Sequence, residues 1–333
     1  MLRIHFTDAD LARTRVADSP DPLWELVMSL HRLQNRQGRS GLADWYTAAR
    51  RDLAGSGISA DVKNRLVPIA PRSQYFPDFL TPPEAAEGLE AGLEAIAALP
   101  RRELDHQLGR VAADRGRLPG WVRALGDGDA RARNELLDLL RGYHRTVLEP
   151  HWDRITTAAD ADRAARARTV LSGGTDGLLS GFAPMMRWEP PVLHVTYIDG
   201  DDIDLHLQGR GLRLIPSYFC RQKPVALADH DLPPVLVYPV YNGTALPSAP
   251  APDRAAEALG ALLGTTRAAA LAAVADGATT GELAARLSIS PAAASHHTRV
   301  LRDAGLIISI RERNRVLHTL TSTGSDLLSA PAG

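Results

Sequence analysis

The 333-residue chain contains a single cysteine, Cys220. That excludes a disulfide framework and any thiolate-rich metal centre, and it fits a reducing compartment. No apolar run approaches the roughly 20 residues needed to cross a bilayer. The first residues, MLRIHFTDADLARTRV, have no apolar stretch of the kind that marks a secretory signal. The expectation is a cytoplasmic protein with no membrane association. Charge of one sign is missing as well. Lys and Arg total 38 against 39 Asp and Glu, a formal net charge of −1. Any nucleic-acid footprint must therefore be local. There is no internal repeat and no heptad array.

Hydrophobic residues make up 44% of the chain. The length is too great for one ordinary core, so at least two domains are expected. The pattern predicts an α+β protein. A mostly helical N-terminal domain carrying a small antiparallel β-sheet precedes a C-terminal winged helix-turn-helix. The N-terminal region spans 1–245, helical to about 171 and β-rich over 188–241, and the C-terminal domain spans 253–330. Between them Asn242–Asp253, rich in Pro, Ala and Ser, reads as a linker.

In the N-terminal region, Leu2, Ile4 and Phe6 alternate with polar residues, a strand pattern. Asp21 and Pro22 mark a helix start. Leu23, Leu26, Val27, Leu30 and Leu33 then form one apolar stripe. Pro150 kinks or splits a long helical stretch. Val192–Ile198 and Ile203–Leu207 flank DGDD and read as a β-hairpin.

No enzymatic constellation emerges. His144, Glu149, His151 and Asp153 match no standard zinc spacing. His194 and His206 sit on opposing strand candidates and form at most a pH-sensitive pair. Asp199, Asp201, Asp202 and Asp204 read as a solvated turn rather than a calcium loop. The glycines of SGGTDGLLSG lack the lysine of a phosphate-binding loop and read as a helix end. Neither catalysis, a metal nor a cofactor is expected.

The informative segment is TTGELAARLSISPAAASHHTRVLRDAGL, Thr279–Leu306. Thr279 with Glu282 forms a capping box. Leu283 and Leu287 face inward, a short turn follows with Ile289 as its plug, and Ser290-Pro291 opens a second helix. On that helix Ala294, Thr298 and Leu301 share the inward face. Ser295, Arg299 and Arg302 share a neighbouring face, with His296 beside it. His296 and His297 point about 100° apart, so they do not chelate one ion. Ala292 and Ala293 leave the helix slim near its N-terminus. Farther on, ISIRERNRVLHTL alternates as a hairpin with Arg311, Arg313 and Arg315 around its tip. The span from Arg286 to Arg315 holds six arginines and two acids.

Together Glu282-Leu283-Ala284, Ser290, Ser295-x-His297, Val300-Leu301-Arg302-x-Ala304-Gly305-Leu306 and the Arg-rich hairpin ending in Leu320-Thr321 resemble the winged helix-turn-helix of the ArsR family, over about the last quarter of the chain. Thr298 stands where that family usually has leucine. The resemblance implies a homodimeric repressor on a pseudo-palindromic operator, with the DNA-contact set Ser290, Ala292, Ser295, His296, His297, Arg299, Arg302, Arg311, Arg313 and Arg315. The large N-terminal region is expected to sense or dimerise. A small apolar effector would have Trp188, Tyr218, Phe219 and Tyr238 as candidate walls. The rival classes are an enzyme or an interaction scaffold carrying an accessory winged helix.

Overall fold

The structure is a computed structural model describing residues 1–34, 42–71, 75–116, 118–196, 202–221, 223–229, 231–240, 259–275, 277–312 and 315–329. The expected linker falls outside these residues. The chain forms two compact units, one of residues 1–34 and 53–241, the other of 35–52 and 242–333. The sequence pattern places one boundary near 245–253; the contacts also draw residues 35–52 into the second unit.

The first unit opens with β1 (Leu2–His5), α1 (Asp8–Arg13), β2 (Arg15–Val16) and α2 (Pro22–Gln34). Asp21 caps α2, accepting from Leu23 N and Trp24 N at 3.1 Å each. The apolar stripe understates this helix. Glu25, Ser29, His31 and Arg32 are buried along with Leu23, Leu26, Val27 and Leu30. A helix covered all round lies inside its unit rather than on its surface.

In chain order α3 (Ala43–Ser56) follows, assigned to the second unit up to residue 52, and the first unit continues with α4 (Leu89–Ala98), α5 (Arg101–Arg115), α6 (Gly120–Gly126) and α7 (Ala130–Tyr143). After α7 a wide π turn over His144–Leu148 passes into one 3₁₀ turn, Glu149–His151, before α8 (Trp152–Ser180) begins. Pro150 has no N–H to donate, so the α-helix is interrupted there. The glycine stretch bends α8 at Gly174, whose φ of 60° suits a residue without Cβ.

The β-rich part departs from the expected layout. It holds two four-stranded mixed sheets, not one small antiparallel sheet. The strands are β3 (Met186–Glu189), β4 (Val192–Val195), β5 (Ile203–His206), β6 (Arg213–Ser217), β7 (Val225–Ala226) and β8 (Val235–Pro239). The first sheet runs β3-β4-β1-β5 and the second β2-β6-β8-β7. The expected hairpin does not form, because β1 lies between its two strands, antiparallel to β4 and parallel to β5. Local alternation marked all three strands but not which pair. The partner that buries Leu2 and Ile4 comes from about 190 residues away in sequence. β2 likewise enters the second sheet parallel to β6, which is parallel to β8. One core joins both sheets and the end of α8 through Ile4, Leu179, Phe182, Leu193, Leu214 and Leu236.

In the second unit a helical turn over 259–263 leads to α9 (Thr265–Ala273), β9 (Ala278–Thr279), α10 (Thr280–Leu287) and α11 (Pro291–Asp303). β10 (Ile307–Glu312), β11 (Arg315–Leu320) and α12 (Ser322–Ser329) complete it. The expected hairpin is present: β10 and β11 pair from Ile307↔Leu320 to Glu312↔Arg315, and β9 adds a third strand beside β11. Leu271, Val274, Leu283, Ala294, Leu301, Leu306, Ile307 and Leu320 share one core. α12 presses close: a Cβ on Gly324 would meet the Leu306 carbonyl oxygen at 2.0 Å.

Candidate nucleic-acid interface

Each cap expected at the α10–α11 junction is made. Thr279 Oγ1 accepts from Glu282 N at 3.3 Å, and Glu282 Oε2 accepts from Thr279 N at 2.7 Å. α10 ends where Ser288 turns left-handed at φ 53°. Ile289 N then donates back to Ala284 O at 3.0 Å. Ile289 is half-buried against the core rather than a fully enclosed plug. Ser290 Oγ accepts from Ala293 N at 3.1 Å, and Pro291 opens α11. The junction therefore satisfies backbone donors that the short turn would otherwise leave open.

The inward face of α11 is Ala294, Thr298 and Leu301, at 2%, 4% and 1% exposure. Thr298 fits a core position because its hydroxyl donates to Ser295 O at 3.1 Å, leaving the methyl to pack. With that face anchored, Ser290, Ala292, Ser295, His296, Arg299 and Arg302 are all exposed. Arg299 Nη2 lies 3.3 Å from His296 Nδ1, so these side chains stand together. Arg302 reaches Asp303 at 3.5 Å, an exposed contact of little strength.

His297 diverges from its neighbour. It is half-buried, its Nδ1 is enclosed without a hydrogen-bond partner among the described residues, and the rings of His296 and His297 stand 65° apart. Burial, then the positive charges of His296 and Arg267, hold its imidazole below the usual range. Among the described residues no three His, Cys, Asp or Glu side chains gather as a metal site, here or around His144.

The arginines of this unit do not act alike. Arg286 Nη1 donates to Ala273 O at 3.1 Å, so it covers the carbonyl end of α9. Arg311 is exposed on β10. Arg313 lies outside the described residues, as do Asp199 and Asp201, and Arg315 is placed by its backbone in β11.

One residue bearing on the site escaped the sequence reading. His318 on β11 is 4% exposed. Its Nε2 lies 2.9 Å from Thr280 Oγ1 at the start of α10, and its Nδ1 lies 2.9 Å from Ser309 Oγ on β10. It ties the hairpin to the first helix of the pair. Burial, with a lesser effect from Arg302, lowers its pKa. Alternation along the strand was the one available signal, since Thr280 is 38 residues away.

Residues 261–310 match a family of helix-turn-helix domains. The match takes in α9, α10, α11 and the start of β10, and it points to a DNA-binding regulator. No curated protein and no solved structure matches the chain.

The other candidate residues are scattered in the first unit. Trp188 Nε1 donates to Asp176 Oδ1 at 2.7 Å, and its ring meets Phe6 edge-on. Tyr238 is fully buried; its hydroxyl donates to Asp162 Oδ2 at 2.6 Å. Both belong to the two-sheet core, whereas Tyr218 and Phe219 pack edge-on against each other outside it. His194 and His206 are held apart by β1. His206 stacks on His5 at 4.3 Å between ring centres, and His194 contacts Glu189 at 3.2 Å. Asp202 and Asp204 are engaged by Arg3, whose hydrogen bonds lead in holding the Asp204 carboxyl below the ordinary range. Among the described residues no helix is long and apolar enough to cross a membrane.

Proposed function

We propose that the protein is a cytoplasmic transcriptional repressor of the ArsR type, acting as a homodimer on a pseudo-palindromic operator. α11 enters the major groove of each half-site, and the β10–β11 hairpin serves as the wing along the flanking backbone. The observation that carries this reading is the exposed Ser295, His296, Arg299 and Arg302 face on a helix anchored from behind by Ala294, Thr298 and Leu301. A rigid helix with small residues at its start and cations along one face suits close approach to base edges. Arg299 is the strongest candidate for reading guanine. The first unit is the sensing or dimerising part, and no catalytic step is assigned to it.

Half-sites of such a dimer lie about one helical turn, ~34–36 Å, apart. The test is a fluorescence-anisotropy titration with a duplex from the protein's own upstream region. Saturable binding that weakens steeply with salt, and roughly 5–150-fold with Arg299→Ala, is expected, corresponding to about 1–3 kcal/mol per base contact. An unchanged affinity in Arg299→Ala, or no binding at low salt, overturns the reading. An accessory winged helix that binds protein predicts the latter.

A further inference from the structure

β6 runs parallel to both of its neighbours, and the chain leaving its C-terminal end reads Ser217-Tyr218-Phe219-Cys220-Arg221. In open sheets ligands are met beyond the C-terminal ends of parallel strands. Glu25, in the first turn of α2, packs against this turn. Its carboxylate accepts from Ser217 Oγ at 3.0 Å, Tyr218 N at 2.6 Å and Phe219 N at 3.1 Å. The Glu25 carboxylate is thus committed to the backbone of this turn and to the Ser217 hydroxyl.

Among the described residues neither Arg154 nor Arg221 makes an ion pair with a carboxylate. Arg154 at the start of α8 and Arg221 lie 5.8 and 5.7 Å from the centre of the Tyr218 ring. Arg154 is exposed and Arg221 partly so. Yet Arg221 Nε and Nη2 are buried and meet no acceptor among the described residues, and neither does the Tyr218 hydroxyl, although Tyr218 is only 2% exposed. A cation–π contact with a ring face supplies no hydrogen-bond acceptor for a guanidinium N–H. Burial leads in lowering the Arg221 pKa; Tyr218, Cys220 and Glu25 act against it, and the charge of Arg154 adds a smaller lowering effect. Arg32, buried nearby, adds positive potential at the Cys220 thiol. Like charges with enclosed, unsatisfied donors are costly unless an anion completes the set.

We propose that this corner binds a small oxyanion, the carboxylate or phosphate group of a small-molecule ligand, held by Arg221 and Arg154 over Tyr218. The arginine fork matches two oxygens of either group, and the Tyr218 hydroxyl supplies a further donor. All the residues belong to the first unit, so the inference stands whether or not the second unit binds DNA.

The test is thermal unfolding of the full chain, free of DNA, in inorganic phosphate, in acetate and in chloride at matched ionic strength. A saturating oxyanion should raise the midpoint by about 2–4 °C, and chloride should not. A rise in phosphate alone assigns a phosphate head group, and a rise in acetate alone a carboxylate. Arg154→Gln, on the surface, and Arg221→Gln should each abolish the rise. Equal effects of chloride and both oxyanions, or a full rise retained in Arg154→Gln, overturns the proposal. The second criterion does not depend on how Arg221→Gln folds.

Discussion

His318 sits between two hydroxyls, 2.9 Å from each, in a site that burial keeps unfavourable for a charged ring. Its folded pKa is lowered, so the unfolded chain takes up the proton first as pH falls below the ordinary value of about 6.5. The stability that His318 contributes is therefore present above that pH and lost as pH falls through the folded pKa. His297 shifts in the same direction, so a single wild-type titration does not separate them. The difference between wild type and His318→Phe does. That variant should cost about 1–3 kcal/mol near pH 7.5, because two hydroxyls lose a partner, and the cost should shrink toward pH 5. Chemical denaturation followed across pH measures it; a pH-independent difference counts against the assignment. Glu25 works with the opposite sign. Burial pushes its carboxyl up to about 7 against three accepted hydrogen bonds. The folded state then binds the proton more readily, so its contribution is full below about 4.5 and is lost as pH rises through 7. The stability of wild type relative to Glu25→Gln should be greater at pH 5 than at pH 8.

At the scale of elements, α11 depends on its ends as much as on its face. Ser290→Ala removes the acceptor for Ala293 N and should cost about 1 kcal/mol. Ser290 is exposed, so the loss is one of capping and not of packing. Leu301→Ala empties a fully enclosed position and should cost about 2–5 kcal/mol, read from the same denaturation curves. These elements were legible in the sequence because their determinants are local. Thr279 and Glu282 are three residues apart, Ser290 precedes Pro291, and the apolar spacing of α11 lies within two turns. The sheets were not, because their determinants are distant. The alternation in β1 identified a strand, but nothing within Leu2–His5 announced that it would separate β4 from β5. His194 and His206 were misplaced for the same reason. The oxyanion corner was equally hidden. Its aromatic, Tyr218, stood out as a candidate wall for an apolar ligand. Arg221 is close by in sequence, but Arg154 comes from α8, and only folding brings the two to one ring.

For the whole molecule, the near-balance of charge is the property that conceals the proposed interface. A net charge of −1 predicts weak general attraction to DNA, so the proposed binding must rest on a few cations placed on one unit. That makes its salt dependence a count of contacts rather than a measure of total charge. Each phosphate neutralised by an arginine adds about 0.9 to the slope of log affinity against log salt on duplex DNA. Under the proposed function Arg311 is a backbone contact on the wing, so Arg311→Ala should weaken binding to operator and unrelated duplex alike and lower the slope by about 1. Under the same proposal Arg299 is a base contact, so Arg299→Ala should erode the preference for operator while leaving the slope on unrelated DNA nearly unchanged. Arg286 serves as an internal control, because its guanidinium already covers the carbonyl end of α9. Its substitution should lower the stability of the second unit with little change in slope. If Arg311→Ala and Arg286→Ala lower the slope equally, a diffuse positive field holds the DNA and the wing geometry does not.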